Sequence, residues 1–459
     1  MGSHVIDSEL FKDQFGTQEM RKIFSDESIL QKWLDVEAAL AQAEAEIGLI
    51  PKTAAEEIKR KAQVENMDFT TIRKEMKATA HPLVPVIRAL ESICDGDAGG
   101  YVHWGATTQD ITDTALILQI KEAREILLKQ LQLILKLTLN LAKKYRNTIM
   151  PGRTHGQHAL PITFGYKVAI WADEIGRHMV RLKELKRRLT GQFGGAAGTL
   201  ASLDKHGLEV QERMMRILGL EVPTTTWHVA RDNLAEFAMV VGMVAATIGK
   251  IANEIINLQR TEIGEVEEGF TMGKVGSSTM PHKRNPMICE NIVGLSRIVR
   301  QQTVLALECM VQEHERDMGL WQVEWLYLPE ICILTSSSLA QMQRVLQDLI
   351  VNEEKMKHNV NLTKGLIVSE NVMLGLAKHV GRQAAHDLVY RSSMKAFEKG
   401  NSLVESLLSD PEVMSHMSES EVIKLVQPEN YVGISSQFVD RVFKKWRSFL
   451  PNEEEGETK

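Results

Sequence analysis

The chain has 459 residues, more than one hydrophobic core normally accommodates, so we expect two or three domains. Apolar residues make up 44% of the sequence and charged residues 25%, a composition that excludes wholesale disorder and a mainly membrane-embedded protein. The net charge of −6 gives no reason to expect a nucleic-acid partner. Neither a bilayer-spanning apolar run nor a signal-like N-terminus stands out, which predicts a cytoplasmic protein without membrane partners.

Helix-forming sequence dominates the chain between widely spaced prolines. Apolar residues three and four positions apart, from Ile29 to Ile47, predict a helix with one buried face. A similar stripe from Thr112 to about Tyr145 predicts a helix roughly 50 Å long. Helices of this length need partners for their apolar faces, so we expect an all-α bundle within a homo-oligomer.

Two features suggest domain boundaries. Gly and Asp cluster at residues 99–105 between helical segments, and the last long helix should end near residue 360. The predicted domains are an N-terminal helical domain (1–104), a central long-helix bundle (105–358) and a C-terminal helical domain (359–459).

Residues 276–286 read GSSTMPHKRNP and are bracketed by prolines, which predicts a loop between two long helical stretches. This string resembles the GSSxMPxKxNP signature of the fumarase/aspartase superfamily. Residues 105–110, GATTQD, and 152–159, GRTHGQHA, resemble the two substrate-binding turns of that family, in the same order. The resemblance covers nearly the whole chain. It implies three helical domains, a twenty-helix core in a homotetramer, and active sites that take the three segments from three subunits.

Superfamily chemistry removes a proton next to a carboxylate and forms a doubly charged aci-carboxylate, which requires cations and hydrogen-bond donors fixed in advance. The resemblance makes Ser277 the base, and a serine oxyanion needs backbone N–H groups and an ammonium nearby. His155 would protonate the leaving group and Glu290 would orient it. The predicted catalytic residues are Ser277, His155, Lys283 and Glu290. The predicted substrate-binding residues are Thr107, Thr108, Gln109, Thr154, Gln157, Ser278 and Asn285.

Other interpretations of these residues are structural. The loop could be a plain surface connection and His155 a satisfied structural histidine. His155 and His158 have no third metal ligand and no HExxH spacing, so we expect no metal. The stretch 192–200, QFGGAAGTL, is not a GxGxxG turn and looks like the inter-helix loop of the superfamily, so we expect no nucleotide cofactor and no cofactor of another kind. His81 lies where adenylosuccinate lyases carry a histidine, with a capping role as the alternative.

Two branches of the superfamily compete. Adenylosuccinate lyases hold a phosphate with an Arg-Tyr-Ser-Arg segment before Pro-Glu-Met, and with a Ser and an Arg after Glu-Arg-Asp. This chain has QFGTQ at 14–18 and has Trp321 and Trp325 at the later positions, so the charge-assisted contacts of a phosphate are missing. Both segments resemble 3-carboxy-cis,cis-muconate cycloisomerase instead. His155, however, resembles the C–N lyases, because bacterial cycloisomerases commonly have a bulky non-acidic residue there.

The sequence therefore predicts an anti β-elimination, or its reverse addition, on a small succinyl- or muconate-type di- or tricarboxylate. Adenylosuccinate lyase or another fumarate-releasing C–N lyase is the alternative within this class. A non-catalytic, crystallin-like structural relative is the alternative outside it.

Overall fold

A computed structural model of the protein describes residues 4–270, 277, 279–280 and 282–450. Helices dominate it, so the predicted all-α class is confirmed. The helices are α1 (Lys12–Phe15), α2 (Gln18–Ile23), α3 (Asp26–Glu46), α4 (Lys52–Lys61), α5 (Phe69–Thr79), α6 (Val84–Ile93), α7 (Thr108–Lys144), α8 (Phe164–Glu184), α9 (Gly207–Leu218), α10 (Asp232–Gln259), α11 (Met287–Glu308), α12 (Leu320–Gln347), α13 (Glu353–Asn361), α14 (Ser369–Val380), α15 (Arg382–Lys399), α16 (Leu403–Leu408), α17 (Pro411–His416), α18 (Glu419–Val426) and α19 (Ser435–Trp446). The strands form two antiparallel pairs, β1 (Ile149–Thr154) with β2 (Gln157–Thr163) and β3 (Val266–Glu267) with β4 (Ile350–Val351).

The chain divides into two compact units, each made of three separate stretches of sequence. The first unit contains Met1–Gln130, His178–Ala246 and Gly294–Ala340. The second contains Leu131–Arg177, Thr247–Val293 and Gln341–Lys459. The three consecutive domains predicted from the sequence stay a prediction.

Both helices predicted from apolar spacing are confirmed. In α3, Val36, Leu40 and Ala43 are buried, as the stripe from Ile29 to Ile47 requires. The long helix α7 has 37 residues and begins at Thr108, four residues before the predicted start. Asp110 explains the earlier start, because its Oδ2 accepts the backbone N–H of Thr107 at 3.0 Å and so caps the first turn.

One helix, α10, is long and apolar enough to cross a bilayer by composition alone. Of its most apolar 18-residue window, 72% is buried inside the protein. Such burial is typical of the core helix of a helical protein.

The C-terminal helices of the second unit have their own core. Serine capping boxes start α16 at Ser402 and α18 at Ser418, each with the glutamate three residues later. Val372 and Leu376 of α14 pack in one buried cluster with Leu407 of α16. This compact part of the unit contains none of the residues predicted to act on substrate.

Candidate active site

The first candidate segment is the turn before α7 in the first unit, and Arg316 fixes it. Arg316 donates from Nη1 to the Thr107 hydroxyl at 2.6 Å and from Nε to the Gln109 amide oxygen at 3.0 Å. Because Thr107 accepts that bond, its own O–H is directed elsewhere and could donate to a bound carboxylate. Gln109 is fully buried, and its amide nitrogen donates to Asp113. Direct contact of Gln109 with substrate stays a prediction.

Asp110 ties this turn to the glycine-rich stretch. Its carboxylate accepts the backbone N–H groups of Gly194 and Gly195, each at 2.9 Å, and contacts His228 Nε2 at 2.9 Å. A Cβ on Gly194 would lie 2.3 Å from the Thr226 side chain, so glycine lets the loop pack this closely against Thr226. The glycine-rich loop thus positions the turn that carries Thr107 and Thr108, and sequence reasoning missed the carboxylate that joins them.

His81 contacts Thr108. The His81 Nδ1 accepts backbone N–H groups of Leu83 and Val84 at 3.3 and 3.1 Å, which leaves the proton of the neutral ring on Nε2. That Nε2 lies 3.3 Å from the Thr108 hydroxyl. Burial, together with the charges of His103 and Arg316, lowers the pKa of His81. The neutral ring therefore caps the start of α6 and orients Thr108, which agrees with the capping alternative.

A largely buried ion pair lies close to the same turn in sequence, at His103. His103, whose φ of 61° is left-handed, places Nδ1 2.7 Å from Oε1 of the buried Glu37. Burial opposes the charged ring, but the pair with Glu37 outweighs it and raises the pKa of His103. Glu44 lies about two turns further along α3, on the same face as Glu37. Its carboxylate has no hydrogen-bond partner among the described residues, and burial raises its pKa to about 9. Sequence patterns gave no signal for these acids, because they lie on the apolar face of a helix.

The second candidate segment is the tip of the β1–β2 hairpin in the second unit. His155 and Gly156 form a two-residue loop with φ values of 51° and 77°, the geometry of a type I′ turn. Thr154, His155 and Gln157 are all exposed at this tip. The short hairpin replaces helix here because Pro151 and Pro161 interrupt the helical sequence on either side.

A buried acid anchors this hairpin close to its tip. Arg153 donates from its two terminal nitrogens to Glu265 at 2.9 and 2.6 Å, and Asn359 donates to Glu265 at 2.8 Å. The Glu265 side chain is fully buried, so the bidentate pair is shielded from solvent. His158, on β2, has its pKa lowered by burial and by the charge of Arg153. The tip with His155 is therefore held by a shielded ion pair two residues away.

The third candidate segment is the loop that carries Ser277. The Ser277 Oγ accepts the backbone N–H of Met280 at 3.0 Å and that of Thr279 at 3.3 Å. Two backbone donors on one hydroxyl oxygen would stabilise an alkoxide there. Lys283 donates its backbone N–H to the Met280 carbonyl, and its side chain is exposed. Ser278 lies outside the described residues.

The C-terminal half of the loop is fixed to the start of α11. Glu268 accepts the backbone N–H groups of Cys289 at 2.6 Å and Ile288 at 3.3 Å, which satisfies the N-terminus of the helix. Gln259 receives the Glu268 N–H and donates to the Arg284 carbonyl, both at 2.9 Å. Asn285, half-buried, comes just before this helix, and Glu290 is exposed on its first turn.

Thr107, Thr108 and Gln109 belong to the first unit, and the remaining described candidates belong to the second. His155 and Glu290 do not hydrogen-bond to each other within the described part of the chain, so the orienting role of Glu290 stays a prediction. Arg316, missed as a site residue, could have been suspected from its place after Glu-His-Glu. Within the described ranges, no cluster of three His, Cys, Asp or Glu side chains could hold a metal ion.

Comparison with known proteins identifies the family. A family model described as Lyase matches residues 13–300, and one described as Adenylosuccinate lyase C-terminus matches residues 365–442. The N-acetyl-S-(2-succino)cysteine lyase of Enterococcus italicus is 45% identical over 98% of this chain and 98% of that protein. The chain belongs to the fumarase/aspartase superfamily. This confirms the resemblance predicted from the three segments, and the protein is an enzyme, a lyase of that superfamily.

Two further members of the superfamily represent its two competing branches. The adenylosuccinate lyase of Methanocaldococcus jannaschii is 44% identical over 94% of each chain. The 3-carboxy-cis,cis-muconate lactonizing enzyme of Pseudomonas putida has a structure 37% identical in sequence, with a TM-score of 0.90 over 96% of this chain and 100% of that one. The superfamily member described here is thus similar to enzymes of both branches.

Proposed function

We propose that this enzyme cleaves a small 2-substituted succinate by anti β-elimination and releases fumarate and a thiol or amine. The observation that carries the proposal is the Ser277 hydroxyl, whose oxygen accepts two backbone N–H groups within one tight turn. A serine becomes a base only where its oxyanion is stabilised, and this turn supplies the stabilisation. Ser277 would take the proton from the carbon next to a carboxylate.

The aci-carboxylate that results would be held by cationic and hydrogen-bonding groups of the candidate segments. Lys283 would supply an ammonium, and Asn285 and Ser278 hydrogen-bond donors, from the serine loop. Thr107 would donate its O–H to the substrate, because its oxygen already accepts a hydrogen bond from Arg316. The guanidinium of Arg316 also adds a positive charge nearby. Thr108, Thr154 and Gln157 would complete substrate binding, with Gln109 at the edge of the same turn.

His155 favours a fumarate-releasing reaction over lactone formation. An exposed imidazole at the hairpin tip is suited to protonate a departing sulfur or nitrogen. The similarity to an N-acetyl-S-(2-succino)cysteine lyase supports a small sulfur leaving group. The similarity to a lactonizing enzyme keeps carboxymuconate cycloisomerisation as the second candidate.

We further propose that the enzyme acts as a homotetramer with active sites shared between subunits. Apolar side chains are exposed on several long helices of the single chain, among them Leu133 of α7, Ile170 of α8, Met243 of α10, Leu307 of α11 and Leu326 of α12. Exposed apolar residues on several long helices support burial in an assembly. A cytoplasmic location stays a prediction.

Fumarate release from defined substrates tests the reaction. The purified enzyme should cleave N-acetyl-S-(2-succino)cysteine, with release followed by fumarate absorbance. Adenylosuccinate should have a lower kcat/KM by roughly 10- to 100-fold, because the charge-assisted bonds to its phosphate are missing. A higher kcat/KM for adenylosuccinate would contradict the proposal, and lactone formation from 3-carboxy-cis,cis-muconate without any fumarate release would favour the second candidate.

Replacing His155 tests the acid. His155→Asn should lower kcat by about 10²-fold for an alkyl thiol or amine leaving group, because that group needs a proton to depart. The loss should shrink with an aryl thiol, which departs readily as a thiolate. His158→Asn, three residues along the same hairpin, is the control and should retain activity. An equal loss for both leaving groups would remove His155 from the acid role.

A further inference from the structure

Hydrogen bonds in the first unit connect the Thr107 turn to a carboxylate in the protein interior. Gln109 and Asp113, one turn apart on α7, are both buried, and the Gln109 amide nitrogen donates to Asp113 Oδ2 at 3.4 Å. The oxygen of the same amide accepts from Arg316, which also donates to the Thr107 hydroxyl. We call this series, from Asp113 through Gln109 and Arg316 to Thr107, the relay. It reaches the candidate site, although Asp113 itself is shielded from solvent.

The direction of each hydrogen bond in the relay is fixed by the chemistry of its members. A carboxylate can only accept, so Asp113 selects the N–H end of the Gln109 amide. The amide oxygen is then left for Arg316, whose guanidinium can only donate. A reversed amide would place its oxygen against the carboxylate and its N–H groups against the guanidinium. Asp113 therefore determines which way the Gln109 amide points, and the amide determines where Arg316 is held.

A buried cation holds Asp113 in place. Arg231 donates to both carboxylate oxygens of Asp113, at 2.7 and 3.1 Å, and its Nε donates to Glu324 at 2.9 Å. Pairing through two parallel bonds fixes the rotation of a carboxylate as well as its position. Glu324 is buried too, but in the described part of the chain it has no hydrogen bond to Gln109 or Arg316. Of the two buried acids that pair with Arg231, only Asp113 belongs to the relay.

We propose that Asp113 is a positioning residue for the elimination, which sets Arg316 through the Gln109 amide and so keeps the Thr107 O–H directed at the substrate carboxylate. The inference rests on the proposed function, because it requires a carboxylate bound at Thr107. Arg316 occupies an acceptor position of the Thr107 hydroxyl, so the hydroxyl proton is left for the substrate. The substrate carboxylate gains charge as the proton leaves carbon, so a misdirected donor should lower mainly kcat.

Two matched substitutions of the buried acids test the inference. Asp113→Leu removes the acceptor of the Gln109 amide nitrogen. Glu324→Met removes the other acid that pairs with Arg231 and leaves the amide untouched. Each variant keeps one carboxylate for the cation, so both should fold. Asp113→Leu should lower kcat by about tenfold or more, whereas Glu324→Met should stay within about twofold of wild type.

A double variant shows whether Asp113 acts through the amide. Gln109→Leu removes the middle of the relay and should itself lower kcat. In Asp113→Leu/Gln109→Leu the second change should cause little further loss, because the connection is already broken. A purely structural effect of Asp113 on the fold would instead add to the effect of Gln109→Leu.

Crystal structures of the two single variants test the positioning without an assay. The hydrogen bond from Arg316 to the Thr107 hydroxyl should be lost in Asp113→Leu and kept in Glu324→Met. A wild-type enzyme that releases no fumarate would contradict the proposed function, and these structures would still decide the role of Asp113. Equal losses of kcat in the single variants, additive losses in the double variant, or an Arg316–Thr107 bond kept in Asp113→Leu would overturn the inference.

Discussion

Ser277→Ala should lower kcat by about 10³-fold while leaving the affinity for substrate nearly unchanged. The hydroxyl oxygen accepts the backbone N–H groups of Met280 and Thr279, so it lies where those donors would stabilise a negative charge. Alanine removes the base without removing the donors. The loss should therefore fall on the chemical step, measured as fumarate release in single-turnover experiments at saturating substrate.

Thr279→Ala is the matched control for this experiment. It removes a hydroxyl from an exposed position of the same loop, two residues along, and keeps the backbone N–H that Ser277 accepts. Turnover should stay within about twofold of wild type, because neither the base nor its donors change. Both variants should have the assembly size of the wild-type enzyme in solution. Ser277→Ala with a kcat near that of Thr279→Ala would assign proton abstraction to another group.

Local sequence was sufficient to find the segments that we propose carry the chemistry. Prolines and a signature string marked the Ser277 loop, and apolar spacing marked α3 and α7. The His155 turn was also found, although its hairpin geometry was not. A two-residue turn with positive φ at His155 and Gly156 depends on strand pairing, which only the fold reveals.

Contacts between distant parts of the chain could not be predicted. Asp110 reaches Gly194 and His228, and Arg316 reaches Thr107 and Gln109, across roughly 80 to 210 positions of sequence. Such pairs leave no periodic pattern, because each partner alone looks like an ordinary polar residue.

The largest effect on stability is expected from Arg231→Met. Arg231 is fully buried, donates to Asp113 at 2.7 and 3.1 Å and to Glu324, and lies 4.9 Å from the ring of Trp227. Methionine would leave two carboxylates in the interior without a cation, at a cost of about 3–5 kcal/mol. Tm and the urea midpoint should both fall sharply, and a variant with the wild-type midpoint would contradict this role.

A neutral version of the cluster distinguishes lost charge pairing from lost packing. Arg231→Met combined with Asp113→Asn and Glu324→Gln contains no buried charge, so it should recover most of the stability that Arg231→Met loses. A triple variant no more stable than Arg231→Met would show that the shape of the guanidinium matters more than its charge. If Arg231→Met alone is insoluble, the triple variant is compared with the wild-type enzyme and should retain most of its stability.

The pH dependence of stability gives an independent test of this cluster. Burial raises the pKa of Glu324 to about 7, although the hydrogen bond and charge of Arg231 oppose the rise and Asp113 adds to it. A carboxyl with a raised pKa binds its proton more tightly in the folded state. The free energy of unfolding should therefore fall as the pH rises from about 4.5 to 7. Glu324→Gln should remove that part of the fall, because the amide does not ionise. Urea unfolding at several pH values measures both slopes, and equal slopes for the variant and the wild-type enzyme would mean that Glu324 stays ionised throughout this range.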